Sequence, residues 1–226
     1  WMGLTLAQTI QPGLPFFMGG VLSVMDMKDM ILSYGAPELS LMMAGCTELA
    51  HFAGIPLWQT GGCTDSKTLD EQAAMEGSLS CFFSALTEGD LCHDVGYTES
   101  GMTGSILQTA MMDEAIGYAR RITRGIEVNE DTLAADVIHR VGPNGQYLKD
   151  EHTLRHSKTE YWHPNLCDRR SFEEWEKKGS LSMRDRVIAR VQDIVATHKP
   201  SPVKPETENA IKKVMQAAED RVKTKE

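Results

Sequence analysis

Polar and apolar positions change rhythm part-way along this chain. In the first half, apolar runs of about 4–6 residues alternate with stretches of about 15–20 residues whose apolar positions recur at helical spacing. "GLPFFMGG" ends in glycines and is followed by the helical pattern of "APELSLMMAGCTELAHFAG". "GIPLWQTGG" leads into "DEQAAMEGSLSCFFSALTEG", and "GDLCHDVGYTESG" into "SILQTAMMDEAIGYARRITRG". Strand then helix, three times over, predicts βα units on a parallel sheet. The strand runs are apolar nearly throughout, the pattern expected of strands buried on both faces. Ahead of them, "WMGLTLAQTIQPG" reads as the last turns of a helix closed by Pro12-Gly13. A chain that begins inside a helix, with no initiator methionine and no cap, is expected to be a piece of a longer protein.

After about residue 125 the alternation stops. "VNEDTLAADVIHRVG" predicts one short capped helix ending at Gly142-Pro143. "YLKDEHTLRHSKTEYWHP" is polar and reads as irregular, and "SFEEWEKKG" as a single short helix. "LSMRDRVIARVQDIVATH" puts Val187, Ile188, Val191, Ile194 and Val195 on one face, an amphipathic helix. "KPSPVKP" is a stiff linker, and a last helix is expected at about 206–223. The expected division is therefore βα units over 1–125, a helical extension over 126–200, and a linker with a terminal helix over 201–226. A closed (β/α)₈ barrel needs eight strands, and an open three-stranded sheet has edges prone to pairing. Either the rest of a barrel lies outside this chain, or a small sheet is covered by the terminal helices. The mid-helix start favours the first.

Composition narrows the class. The chain has 226 residues, 41% hydrophobic and 24% charged, which fits a soluble globular protein of about one domain. A net charge of -9 disfavours nucleic acid and anionic membrane surfaces as partners. No apolar run reaches the ~18 residues of a membrane span, and Thr5, Gln8 and Gln11 interrupt the first helix as a signal peptide would not. Cysteines 46, 63, 81, 92 and 167 are odd in number and lack CxxC spacing, which fits reduced thiols and a cytoplasmic location. Thirteen methionines read as adaptable core packing, or as a soft lining for a bulky apolar partner.

The chemistry gathers at three strand ends. In parallel α/β folds the loops after the strands form the site. Here they offer Asp26, Cys63, Thr64, Asp65, Lys67, His93, Asp94, Tyr97 and Glu99, with Trp58 below the second loop. Gly61-Gly62 would let the chain turn tightly into "CTDSK". Blander roles are open: Asp65 and Asp94 as helix caps, His93 as a satisfied core histidine. No G-x-G-x-x-G follows a strand and there is no P-loop. His152 and His156 in "HTLRH" lack the glutamate of a zincin and read as a polar surface or interface pair. A zinc site from Cys63, Cys92 and His93 is weakened by strand alternation, which turns Cys92 away from His93.

"SVMDMKDMILSYGAPELSLM", "GGCTDSKTLDEQAAMEG", "RRITRGIEVNEDTLAADVI" and "HTLRHSKTEYWHPNLCDRRSFEEWEKKG", in that order, resemble the C-terminal half of the trimethylamine methyltransferase family. The resemblance covers about residues 1–200. It implies the C-terminal part of a (β/α)₈ TIM barrel, about three βα units, followed by C-terminal helices. It also implies methyl transfer from a methylated amine to the Co(I) of a separate corrinoid (cobalamin) protein, with no cofactor bound directly and no metal. The trimethylamine enzymes of methanogens carry pyrrolysine at the barrel mouth, near the position of Thr64 or Asp65, whereas this chain has only standard residues. That departure points to the pyrrolysine-lacking branch and to quaternary amines such as glycine betaine, carnitine or proline betaine.

On that reading Asp65, His93 and Glu99 are the expected catalytic residues, and Trp58, Thr64, Lys67 and Tyr97 the expected substrate-binding ones. Trp58 and Tyr97 offer aromatic faces to a cation, Asp65 and Glu99 a counter-charge, and His93 or Lys67 a partner for a substrate carboxylate. The expected partners are the cognate corrinoid protein, the methylated amine and, through strand edges, a further copy of the chain. The alternatives are a zinc-dependent corrinoid methyltransferase using Cys63 and Cys92, and a non-catalytic binder of methylated solutes.

Overall fold

Glycine and proline set most element boundaries, and the three βα units form where the pattern places them. The computed structural model describes residues 1–223, with side chains as far as residue 221. Helix α1 (Met2–Ile10) leads to strand β1 (Met18–Gly19), then to a small antiparallel hairpin of β2 (Met25–Asp26) and β3 (Ile31–Leu32). Helix α2 (Pro37–Phe52), strand β4 (Leu57–Thr60), helix α3 (Glu71–Leu86) and strand β5 (Leu91–His93) follow. A second antiparallel ribbon, β6 (Tyr97–Thr98) with β7 (Thr103–Gly104), precedes helix α4 (Ile106–Thr123). Strands β1, β4 and β5 pair in parallel and in sequence order, so each crossover carries a helix. The hairpin and the ribbon are insertions that the run-and-helix pattern did not separate from the strand ends, because each strand is only two residues long.

Local chemistry explains the helices. Pro37 opens α2 at a position where its missing N–H is not needed. Leu39, Met43, Thr47 and Ala50 form its buried face at helical spacing. The Asp70 side chain caps α3 by accepting from the Ala73 N–H at 2.9 Å, and the Ser105 side chain caps α4 by accepting from the Gln108 N–H at 3.2 Å. Asp65 and Asp94 cap neither helix. The buried face of α3 is small (Ala73, Gly77, Ser80, Cys81, Ser84), which lets α4 approach closely. Ala73 and Cys81 then pack with Met111 and Met112 of α4 and with Leu166 and Val187 from the extension, forming the core on the helix side of the sheet.

The opposite face of the sheet is open. Trp58 is 40% and Leu91 57% exposed there. The expectation of strands buried on both faces therefore fails within the unit Trp1–Val191: alternation sends Leu57 and Gln59 toward the helices, and among its described residues no layer buries Trp58.

The extension is more broken than its pattern implied. The single helix expected before Gly142 is split into α5 (Glu130–Leu133) and α6 (Ala135–Val141), because Ala134 sits in the left-handed region at φ 50°. The polar stretch read as irregular holds α7 (Glu151–His156). Helices α8 (Phe172–Lys177), α9 (Met183–Thr197) and α10 (Pro205–Lys223) follow close to expectation. The chain divides into two compact units, Trp1–Val191 and the segment from Gln192 onward. In the second, Glu208 and Lys212 pair at 2.6 Å along α10. Residues 224–226 of the expected terminal segment lie outside the described residues. No helix among the described residues is long and apolar enough to cross a membrane.

Candidate active site

Three strand ends are tied together by side chains. The register places His93 beside Thr60, and His93 Nε2 lies 3.1 Å from the Thr60 hydroxyl. Thr60 Oγ1 in turn reaches the Gly20 carbonyl after β1 at 3.4 Å. On the other side of the ring, Nδ1 lies 2.9 Å from Asp94 Oδ1. With Nδ1–H donating to Asp94, Nε2 is an acceptor: it takes the Thr60 proton when that hydroxyl turns from the Gly20 carbonyl, and is otherwise open to a group entering the mouth. Trp58 meets the His93 ring edge-on at a centroid distance of 4.8 Å and packs against Phe17 at 5.6 Å. The result is an aromatic floor with one oriented imidazole, on the open face of the sheet. His93 is thus half-buried at the mouth, not sealed in the core.

The second loop is built as a clamp. Gly62 takes a φ of 74°, as a tight turn requires. Its carbonyl accepts from the Gly96 N–H at 3.0 Å, Thr64 N–H donates to the Tyr97 carbonyl at 3.0 Å, and Glu99 N–H to the Ser66 carbonyl at 2.9 Å. These bonds lace the second loop to the third. Thr64 is fully buried and donates to Glu76 of α3 at 2.5 Å. Glu76 also accepts from the Asp65 N–H at 2.9 Å. The Asp65 carboxylate is engaged in full: it accepts from Ser33 Oγ, from the Tyr34 N–H at 2.7 Å and from Ser100 Oγ at 2.8 Å. Burial alone would raise the Asp65 carboxyl, but the hydroxyls of Ser33 and Ser100 and the amides of Tyr34 and Gly35 outweigh it and hold the group below the usual carboxylate range.

The structure brings Trp58 and His93 into contact, and sets Tyr97 on the neighbouring loop, where it is partly exposed. Glu99 is exposed and accepts from Thr103 Oγ1 at 3.0 Å, while Lys67 turns back to the Asp65 carbonyl at 2.9 Å. Asp26 closes its own hairpin by accepting from the Lys28 N–H at 2.7 Å. Tyr34 and Glu76 were not legible as site residues. Burial, then Asp94, Cys63 and Tyr97, raise the Tyr34 phenol above 10.0, which puts that ring among them. Only the glycine after Tyr34 hinted at a bend there.

The thiols do not form a metal set. Among the described residues the groups able to share an ion do not include Cys63, Cys92 or His93. Cys92 Sγ points to the helix side, 3.1 Å from where a Gly61 Cβ would stand, opposite His93. Burial raises the Cys63 and Cys92 thiols, and pushes Cys81 up to about 12, so all three stay protonated at neutral pH.

Gly96 is a point of strain to test. Its φ is 98°, and a Cβ there would lie 2.0 Å from Thr109 Oγ1 and 3.1 Å from the Ser105 carbonyl. Gly96→Ala is expected to lower stability by about 2 kcal/mol, read as a drop in urea midpoint at constant slope. An unchanged midpoint would show that this loop relaxes freely.

The model of the trimethylamine methyltransferase (MTTB) family matches residues 1–222. The chain belongs to that family. It is 36% identical over 205 residues to a glycine betaine methyltransferase of Desulfitobacterium hafniense strain Y51, covering 90% of this chain and 43% of that protein. It is 32% identical over 217 residues to a trimethylamine methyltransferase of D. hafniense strain DCB-2, covering 96% of this chain and 44% of that protein. It is 33% identical over 219 residues to a trimethylamine methyltransferase of Methanosarcina acetivorans, covering 97% of this chain and 43% of that protein. The chain therefore spans less than half the length of these relatives.

Proposed function

We propose that this chain is the C-terminal part of a TIM-barrel methyltransferase that moves a methyl group from a quaternary amine, of the glycine betaine class, to a corrinoid protein. The observation that carries the reading is the Trp58–His93–Asp94 cluster, which two adjacent parallel strands, β4 and β5, bring together toward their carboxyl ends. Family membership, with a glycine betaine enzyme among the relatives, supports it.

A quaternary ammonium cannot donate a strong hydrogen bond, so an aromatic face such as Trp58 and the negative charge of Asp94 suit it. Its leaving group is a neutral tertiary amine, so the C–N bond can break toward nitrogen without a proton from the enzyme. The bound corrinoid supplies a Co(I) nucleophile that accepts the methyl. The chain's own residues hold the cation, aim one methyl outward and exclude water. His93, oriented by Asp94, offers Nε2 toward the mouth, where in its protonated form it donates to a substrate carboxylate. Thr64 and Asp65 act as positioning residues on this reading, because their side chains clamp the loops instead of facing the mouth.

The test uses full-length protein, reduced cobalamin and a panel of quaternary amines beside trimethylamine, with methylcobalamin formation read by absorbance. At least one quaternary amine is expected to react ~10-fold or more faster than trimethylamine, the discrimination ~1–3 kcal/mol of pocket contacts would give. Trimethylamine as the preferred donor would overturn the substrate class. Tight binding of a quaternary amine without transfer would instead establish a solute-binding protein.

A further inference from the structure

We propose that Asp131, His152 and His156 form a binding site for one divalent transition-metal ion of the zinc class, which staples the helical extension together. The site is remote in sequence from the strand-end cluster, and the proposal does not depend on the methyl-transfer reading.

The geometry begins with α7. Spacing of i,i+4 stacks the two imidazoles, with ring centroids 4.2 Å apart and planes 33° from parallel. The start of α7 is pinned by Asp150, which accepts from the His152 N–H at 3.0 Å and is itself held by Arg140. Asp131 comes from α5, whose register is fixed by a reciprocal cap between Asn129 and Thr132. Both Nε2 atoms converge on Asp131. His156 Nε2 is 3.0 Å from Oδ2, and His152 Nε2 is 3.7 Å from Oδ1 and 2.7 Å from the backbone carbonyl. One ligand atom from each of the three residues lies within 4.8 Å of the others.

Two imidazole nitrogens and one carboxylate oxygen are a donor set for zinc, with a solvent water completing a tetrahedron. Arg155 donates to Oδ1 at 2.6 Å, which orients the carboxylate as an outer partner does in metal sites, so that Oδ2, now bonded to His156, can turn to an ion. Burial would raise the Asp131 carboxyl, but the His156 hydrogen bond and the Arg155 charge outweigh it and keep the group ionised. The histidines are half-buried and Asp131 is exposed, so an ion can reach them from solvent. Binding needs no redox step. Both imidazoles bind as neutral rings with the proton on Nδ1 instead of Nε2: His152 gives up its bond to the Asp131 carbonyl and His156 its bond to Oδ2, and each turns an Nε2 lone pair to the ion.

A second observation says why a staple belongs here. From residue 121 to residue 165 no described residue is buried. Helices α5, α6 and α7 therefore have almost no hydrophobic core, and polar cross-links such as Arg140–Asp150 are what join them. Segments in that condition gain most from a metal, whose binding energy becomes folding energy.

The experiment takes the untagged full-length protein, strips it with chelator and titrates Zn²⁺ by calorimetry, then Co²⁺ by absorbance. The expected result is about one ion per chain, a thermal midpoint that rises with Zn²⁺, and a four-coordinate Co²⁺ spectrum without thiolate charge-transfer bands. His156→Gln, which keeps a donor to Asp131, and Asp131→Asn are each expected to weaken binding at least ~tenfold, with circular dichroism of the metal-free variants confirming that they fold. No stoichiometric binding by the unaltered protein overturns the site, as does undiminished binding in both folded variants. Should a variant fail to fold, the Co²⁺ spectrum of the unaltered protein decides: thiolate bands place the ion on cysteines and overturn it, and their absence supports it.

Discussion

Replacing His93 by alanine in the full-length enzyme is expected to slow methyl transfer about tenfold to a hundredfold. The ring is the junction of the site: it packs on Trp58 at 4.8 Å, bonds Asp94 at 2.9 Å, and faces Thr60 at 3.1 Å. Its removal frees Trp58 to move and takes away the one oriented nitrogen at the mouth. A displacement of an ångström is enough for a loss of that size when catalysis rests on aiming a substrate. His93→Gln restores a polar contact without the ring and is expected to recover part of the loss. Tyr97→Phe removes only a hydroxyl, and a loss of about tenfold there is expected if the phenol meets the substrate. If His93→Ala and Tyr97→Phe both retain full rates with glycine betaine, the site has been placed wrongly. The kcat/KM split is informative: if His93 binds a substrate carboxylate as proposed, its removal raises KM for carboxylate-bearing amines more than for those without one.

Glu114→Ala is expected to cost about 3–5 kcal/mol of stability, on the order of 1–2 kcal/mol for each of three backbone donors left without its acceptor. Glu114 is only 4% exposed and accepts from the backbone N–H groups of Asn165 at 3.1 Å, Leu166 at 2.9 Å and Cys167 at 2.8 Å. One carboxylate on α4 thereby fixes the strand of chain that carries Leu166 into the core. Alanine leaves three amides without this acceptor, and the cost is greatest at Leu166, the buried one of the three. Burial alone would raise the Glu114 carboxyl; the three amides outweigh it and lower it below 4.5. The folded state therefore binds that proton less readily than the unfolded chain. Its stabilisation is complete above pH 4.5 and is lost as the pH falls through the depressed folded value. Glu114→Gln is expected to keep part of the bonding and to flatten the acid limb of the stability curve. Urea midpoints measured from neutral pH into that limb check both, and equal midpoints for Glu114→Ala and the unaltered chain would refute the role.

Much of the candidate site was legible because it lies at strand ends. Glycines and short apolar runs locate those ends, so Trp58 and His93 could be assigned to one mouth before any geometry was available. Residues that reach the site from elsewhere left no such trace. Tyr34 arrives through an inserted hairpin, Glu76 from the middle of a helix, and Ser33 and Ser100 from two different loops onto one carboxylate. The same holds in the extension: "HTLRH" shows two histidines one turn apart, but Asp131 lies some twenty residues upstream.

Periodicity was enough to specify the three βα units, their order, and the amphipathic terminal helices, because each depends on contacts between residues near in sequence or on a burial pattern repeated along one element. The family resemblance was likewise carried by contiguous motifs. Which faces are buried was not contained in that pattern. Apolar strands predicted two covered faces, and the structure covers one, since burial depends on what else packs there. The division of labour within "CTDSK" was also a tertiary outcome. Five reactive side chains in a row do not say which point outward; only the positions of Glu76, Ser33 and Ser100 turn Thr64 and Asp65 into a clamp. Hydrogen-bond partners far apart in the chain meet only once the fold has closed, and that is where the chemistry of this protein is decided.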